Sequence, residues 1–107
     1  QIVFTPEMCG LLDRDTRRLA AAAKSEADDP AIKALSAVAR RRGIAVAIGS
    51  LAIRDPEAGA DRLANRSILL APDGRIAARY DKMHLFDVDL PNGDRYRESA
   101  SFLSGGR

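Results

Sequence analysis

The hydrophobic positions of the chain fall into strand-like runs separated by one clear helical stripe. Apolar runs at residues 1–4, 44–53 and 63–70 predict strands. The run that begins at Ile44 is apolar on both faces, which is typical of a strand buried between layers. Pro72-Asp73-Gly74 predicts a tight turn, so residues 75–80 should return as a hairpin partner of the third strand.

Two helices are predicted between the first two strands. Asp28-Asp29-Pro30 is a strong start signal, because an acidic cap before a proline suits the free amides at a helix start. That helix should run from Pro30 to Arg42 and stop at Gly43. Its apolar stripe consists of Ile32, Leu35, Val38 and Ala39. A shorter helix through Arg14–Ala23 is predicted, capped by Asp13 or Asp15.

Residues 82–107 show little periodicity and are predicted to form one long loop. Loops of that length in compact domains are usually functional or disordered. The predicted order is therefore strand, helix, helix, three strands and a loop, which indicates an α/β fold.

Composition narrows the class of protein. A chain of 107 residues is one domain at most, and 46% hydrophobic with 30% charged residues is ordinary for a globular protein. With no Trp, three Phe and two Tyr, the core should be aliphatic. A net charge of +2 is too balanced to indicate a nucleic acid or a membrane as partner. The one basic cluster, Arg40-Arg41-Arg42, is interpreted as a solvated helix end, with an anion site as the alternative.

The single cysteine, Cys9, excludes an intrachain disulfide and favours a reducing compartment. No stretch approaches the roughly 18 apolar residues of a membrane span, and the start lacks the layout of a signal peptide. The expected location is therefore the cytoplasm. Because the chain enters an apolar strand directly at Gln1, without an initiator Met, we interpret it as a partial domain, 1–107, truncated at both ends.

Two charged residues follow predicted strands and could project into a cleft. Glu7 comes just after the first strand and Pro6, and Lys82 just after the fourth. Asn65 to Gly105 also carries a run of motifs: Asn-x-Ser-Ile-Leu-Leu, Pro-Asp-Gly, Tyr-x-Lys-x-His, His-Leu-Phe-Asp-Val-Asp, Glu-Ser and Gly. Together these segments resemble the nitrilase, or carbon-nitrogen hydrolase, superfamily.

The resemblance implies a catalytic set of glutamate, lysine and cysteine. Glu7 matches the glutamate that takes the thiol proton, a task that suits it if burial raises its pKa while an ammonium limits the rise. Lys82 matches the lysine that holds that glutamate and stabilises the oxyanion. Glu98 matches a second glutamate that orients the lysine and the substrate. The family's cysteine segment follows the lysine by several tens of residues, so it is expected beyond Arg107. Catalysis by this piece alone is not expected.

A Cys9–His84 nucleophile pair is the alternative from the residues alone. The resemblance argues against it, since the family's nucleophile follows the lysine and His84 supports the lysine loop. Metal binding is not expected with no second His or Cys nearby, and no cofactor is implied. Thr5 and Asp81 depart from the residues common in the family, and neither removes a group that catalysis needs.

The fold implied is half of a four-layer α-β-β-α sandwich. The motif around residues 84–93 is most similar to the Nit-type branch, which hydrolyses small ω-amido acids or deaminated glutathione. A non-catalytic assembly module and a carbamoyl-amide hydrolase stay open as alternatives. Four core residues are expected to need cover from a second copy, as in a homo-oligomer, or from the remainder of the polypeptide. They are Val46, Ile48, Ile68 and Leu70.

Overall fold

The computed structural model describes residues 1–59 and 62–106. The strands are β1 Ile2–Phe4, β2 Ala45–Ile53, β3 Leu63–Leu70, β4 Ile76–Asp81, β5 Asp87–Asp89, β6 Arg95–Arg97 and β7 Phe102–Leu103. The helices are α1 Thr16–Ala22 and α2 Pro30–Arg42, with 3-10 turns at Pro56–Ala58 and Glu98–Ala100. The predicted α/β class and the order of its first six elements are confirmed. Ala60, Asp61 and Arg107 lie outside the described residues.

The main sheet is mixed. Its order is β1-β2-β3-β4, with β1 parallel to β2 and the pairs β2/β3 and β3/β4 antiparallel. β7 adds a short parallel pairing to the start of β3. The turn between β3 and β4 lies where it was predicted, and Gly74 supplies its left-handed residue, with φ of 84°.

Helix α2 covers one face of this sheet. Asp29 caps it by accepting the Ile32 amide hydrogen at 3.0 Å, and Gly43 ends it with φ of 63°. Its buried residues, Ile32 and Ala39, pack on an aliphatic cluster of β2 and β3. That cluster includes Val46, Ile48, Ile68 and Leu70, each at most 2% exposed. The expectation that these four need cover from outside the chain is therefore wrong, because α2 already buries them.

The opposite face of the sheet is covered at one end, where Leu19, Ala23 and Phe102 cluster with Ala52 and Leu63. The other end is left open by the described elements, and we call it the uncovered sheet face. Pairing in register places Phe4, Ala47, Leu69 and Ala78 side by side on this uncovered face. Phe4 is 72% exposed, and Tyr80, farther along β4, is 50% exposed. An exposed apolar sheet face of this kind usually marks a surface that packs against another element.

The prediction of one long loop after Lys82 is wrong. Strands β5 and β6 form an antiparallel hairpin with Val88 opposite Tyr96. Asn92-Gly93 forms its turn, where Gly93 has φ of 91°, and Asn-Gly is a strong hairpin signal. The hydrophobic pattern did not predict β5 and β6 because most of their residues are exposed, so the two strands lack an apolar alternation.

Candidate active site

Glu7 lies in a turn that β2 holds in place. The Met8 amide donates to Ser50 Oγ at 3.0 Å, and Met8 itself adopts a positive φ of 54°. Gly49 allows the close approach of this turn to β2, because a Cβ there would lie 2.3 Å from the Thr5 carbonyl oxygen. The direction of the Glu7 side chain is thus fixed by backbone contacts with a buried strand.

Lys82 follows the last residue of β4 and is held by two backbone hydrogen bonds. Its amide donates to the Asn65 carbonyl of β3 at 2.9 Å, and its own carbonyl accepts from the Gly105 amide at 3.0 Å. The β3–β4 ladder therefore continues one residue past β4. The lysine side chain leaves this ladder beside that of Asn65.

Glu98 reaches the same place from the β5–β6 hairpin. Its carboxylate accepts the Phe86 amide hydrogen at 2.6 Å, and its own amide donates to the Phe86 carbonyl at 3.2 Å. These two bonds tie the end of β6 to the segment that enters β5. The Glu98 side chain is only 13% exposed.

The structure brings Glu7, Lys82 and Glu98 together, as the sequence predicted, and adds a residue that the sequence analysis did not assign to the site. Lys82 Nζ lies 3.1 Å from Glu7 Oε1 and 3.0 Å from Glu98 Oε2. Asn65 Nδ2 donates to Glu7 Oε1 at 3.0 Å and to Glu98 Oε1 at 2.9 Å. We call these four residues the site cluster. The sequence did hold a signal for Asn65, because it is a polar residue inside a strand predicted to be apolar and the first residue of a family motif.

In the site cluster, hydrogen bonds and neighbouring charges outweigh burial in setting the direction of each pKa shift. The pKa of Glu7 is lowered, first by the Asn65 amide and then by Lys82, against a smaller effect of burial. Burial raises the pKa of Glu98, but the Phe86 amide, Asn65 and Lys82 together outweigh it and the net shift is downward. Burial lowers the pKa of Lys82, and the two carboxylates reverse that into a net rise. At neutral pH all three groups are therefore charged.

The condition set for Glu7, a pKa raised by burial, is not met in this chain. The Glu7 side chain is 57% exposed. With little desolvation to oppose them, its two hydrogen bonds decide the direction of the shift.

The site cluster lines a cavity of about 810 Å³. Side chains from the β5–β6 hairpin, including Phe86 and Tyr96, and from the segment before α1, including Leu12 and Arg14, form the rest of the wall. This volume lies within the range usual for small-molecule sites. On its wall the site cluster places one ammonium and two carboxylates side by side, a set suited to polarising a carbonyl and moving a proton.

Cys9 and His84 do not line this cavity. Both are exposed, and the Cys9 sulfur accepts a hydrogen bond from the Thr5 hydroxyl at 3.2 Å. Within residues 1–59 and 62–106, no group of three or more His, Cys, Asp or Glu side chains could hold a metal ion. No helix in that part of the chain is long and apolar enough to cross a membrane.

Comparison with known proteins identifies the family. The family model for carbon-nitrogen hydrolase matches residues 1–107. A deaminated glutathione amidase of Synechocystis sp. is 36% identical over 107 residues, which cover 98% of this chain and 38% of the relative. An omega-amidase of Saccharomyces cerevisiae is 35% identical over 74 residues, which cover 69% of this chain and 25% of the relative.

Solved structures give the same result for the fold. The NitFhit protein of C. elegans superimposes with a TM-score of 0.80 at 28% identity, covering 98% of this chain and 25% of that one. An amidase from Nesterenkonia sp. AN1, with acrylamide added at its active-site cysteine, gives a TM-score of 0.71 at 27% identity. That match covers 100% of this chain and 37% of the amidase.

Sheet, helices and site cluster together define a nitrilase-type α/β fold, of which this chain forms a part. The chain belongs to the carbon-nitrogen hydrolase family. It spans about two fifths or less of the length of the relatives it matches.

Proposed function

We propose that this chain provides the proton-transfer and charge-stabilising part of an amidase site, acting on the carbon-nitrogen bond of small linear amides. The observation that carries the proposal is the Lys82 ammonium, which lies within 3.1 Å of carboxylate oxygens of both Glu7 and Glu98 on the wall of one cavity. A cation held this way can stabilise charge on a carbonyl oxygen, while a free carboxylate beside it accepts a proton.

The proposed reaction has two stages, formation of a thioester and its hydrolysis, and the same groups act in both. A cysteine thiol loses its proton to Glu7 and attacks the amide carbon, and Lys82 stabilises the oxyanion that forms. The carbon-nitrogen bond then breaks, and Glu7 gives its proton to the departing ammonia, which leaves a thioester. Water, activated by Glu7, attacks the thioester, and the carboxylic acid leaves as the thiol is restored. Glu98 orients Lys82 throughout.

The nucleophile in this proposal lies in residues beyond Arg107. Cys9 is a poor candidate, because it is exposed and does not line the cavity that contains Lys82. The active-site cysteine of the Nesterenkonia amidase supports a cysteine mechanism in the family. We therefore expect no amidase turnover from the 107-residue chain alone.

The half-exposed state of Glu7 also fits a site completed by further residues. The Glu7 carboxylate is open to water, and the pKa of Glu7 is lowered. If a second layer covers the cavity, loss of that water raises the pKa of Glu7 and makes it a stronger base. Such a layer would pack on the uncovered sheet face, where Phe4 and Tyr80 are exposed.

For the substrate, we propose an ω-amido acid or deaminated glutathione. The support is the His-Leu-Phe-Asp-Val-Asp motif and the names of the relatives from Synechocystis and yeast. The test is ammonia release by the polypeptide continued past Arg107, with both amides and with an N-carbamoyl amine as the third substrate. Turnover of the amides supports the proposal. Turnover of the carbamoyl compound alone would make the protein a carbamoyl-amide hydrolase instead.

A second candidate is a non-catalytic assembly module, and the uncovered sheet face favours it. In that case the face would bind another copy of the chain, and the site cluster would only stabilise the fold. Amidase activity of the longer polypeptide distinguishes the two candidates, and light scattering with intact mass at low micromolar concentration shows whether the 107-residue chain self-associates. A stable oligomer of the 107-residue chain combined with no amidase activity in the longer polypeptide would favour the module. For either candidate we propose a cytoplasmic location and self-association.

A further inference from the structure

Asn65 is the buried member of the site cluster, and its side-chain hydrogen bonds stay within that cluster. Its side chain is buried in β3, and the residue is 2% exposed. Both hydrogen bonds of the Nδ2 group go to the carboxylates of Glu7 and Glu98. Its Oδ1 atom has no hydrogen-bond partner in the described part of the chain. The amide is therefore oriented by the two carboxylates and not by the core around it.

The site cluster forms a closed ring of alternating donors and acceptors. Glu7 Oε1 accepts from both Asn65 and Lys82, and Glu98 Oε1 does the same. Two carboxylates with one ammonium leave a net negative charge, and the two like charges repel each other. Asn65 adds two more donors to this ring without adding charge. The opposite amide orientation would aim Oδ1 at both carboxylates, so the observed one is favoured.

Other charged groups around the cavity have partners of their own or are exposed. Asp13 pairs with Arg18, and Arg97 and Arg95 both pair with Asp89. The remaining charged residue of the wall, Arg14, is exposed. Within the ring itself, the donors that Glu7 meets are therefore Asn65 and Lys82.

We propose that Asn65 is a positioning residue of the site, whose amide holds Glu7 ionised and aimed beside Lys82 by bridging it to Glu98. A purely structural asparagine would satisfy its oxygen within the core, and this one does not. Asn65 acts through Glu7 and makes no contact with the reacting atoms in this role. The activity part of the inference rests on the proposed function, whereas the charge-state part does not.

The first test measures the titration of Glu7 directly, by the carboxyl-carbon NMR signal of the 107-residue chain. Asn65→Leu keeps the shape of the side chain and removes both donors, and Asn65→Asp replaces the donors with a third carboxylate. We expect the Glu7 midpoint to move upward in both variants, and farther in Asn65→Asp. The matched control is Asn92→Asp, which makes the same charge change in the exposed β5–β6 turn and should leave the Glu7 midpoint unmoved.

The second test measures kinetics in the polypeptide continued past Arg107. Loss of one or two charge-assisted hydrogen bonds predicts a kcat decrease of roughly tenfold to a hundredfold for Asn65→Leu at neutral pH. KM should change far less, because Asn65 does not bind the substrate. The acid limb of the pH profile should move in the same direction as the Glu7 midpoint.

The two tests separate the failure of this inference from the failure of the proposed function. If the longer polypeptide has no amidase activity, the proposed function is wrong, and the titration still decides the role of Asn65. If Asn65→Leu does not fold, the isosteric Asn65→Asp decides it. A Glu7 midpoint that stays at its wild-type value in every folded Asn65 variant overturns the inference, whatever the activity.

Discussion

Arg66 is the residue whose removal should destabilise the chain most among its charged side chains. It follows Asn65 on β3, and its guanidinium binds three carboxylates from separate segments: Glu26, Asp55 and Asp81. The bond to Asp81 is bidentate, with distances of 2.7 and 2.9 Å. The Arg66 side chain is 14% exposed. Because Asp81 precedes Lys82, this ion cluster lies directly behind the site cluster.

The magnitude follows from how far these charges are removed from water. Arg66→Met keeps much of the apolar stem and removes the cation that three carboxylates share, although Glu26 keeps its pair with Arg79. A fully buried ion pair broken on one side costs about 3–5 kcal/mol. The three carboxylate side chains are 18–30% exposed, so water compensates in part. We expect a decrease of about 3 kcal/mol in the free energy of unfolding.

The assay is urea unfolding followed by far-UV circular dichroism near neutral pH, with Arg75→Met as the matched control. Among the described residues, Arg75 pairs with Asp73 alone, at the surface, and its side chain is 86% exposed. Exposed pairs contribute at most about 1 kcal/mol, so this control should lie close to the wild type. Equal stability of the Arg66→Met and Arg75→Met variants would show that the partly buried ion cluster adds no more stability than an exposed pair.

Two further predictions concern the backbone around Glu7 and the effect of pH. Gly49→Ala places a Cβ 2.3 Å from the Thr5 carbonyl oxygen, so the turn that holds Glu7 must move. A shift of about 1 Å should lower kcat/KM of the longer polypeptide on the order of a hundredfold. Unchanged kinetics would contradict that placement of the turn. The folded-state pKa values of Glu7, Glu26 and Glu98 lie below 4.5, so their stabilising contribution is present above that pH and is lost as pH falls through the lower folded values. Unfolding free energies measured from about pH 7 to pH 3 should fall below about pH 4.5, and a flat profile would contradict the ion pairs.

Local sequence signals predicted the parts of the fold that depend on near neighbours. The bounds of α2 follow from its acidic cap, its first-turn proline and its terminal Gly43, and each of these acts within four residues. The β3–β4 hairpin was predicted for the same reason, through its Pro-Asp-Gly turn. The family resemblance then supplied Glu7, Lys82 and Glu98, whose proximity the structure confirms. Their catalytic roles stay a prediction.

Contacts between distant parts of the chain were harder to predict. Asn65 meets a carboxylate 58 residues before it, and no local pattern encodes that pairing. The cover that α2 gives to Val46 and Ile48 depends on how a helix packs on a sheet, which hydropathy alone does not specify. The β5–β6 hairpin was missed because it is exposed, and only its Asn-Gly turn marked it. Asp81 departs from the common family residue, and the structure supplies its partner in Arg66.

We propose that Glu7 and Lys82 serve a cysteine that lies beyond Arg107. The most direct measurement is peptide mass spectrometry of the longer polypeptide after reaction with an electrophilic small amide, in the wild type, Glu7→Gln and Lys82→Met. We predict a covalent adduct on a cysteine that follows Arg107 in the wild type, formed far more slowly in both variants, with Cys9 dispensable for turnover. An adduct confined to Cys9, together with loss of amidase activity in Cys9→Ser, would instead make Cys9 the nucleophile.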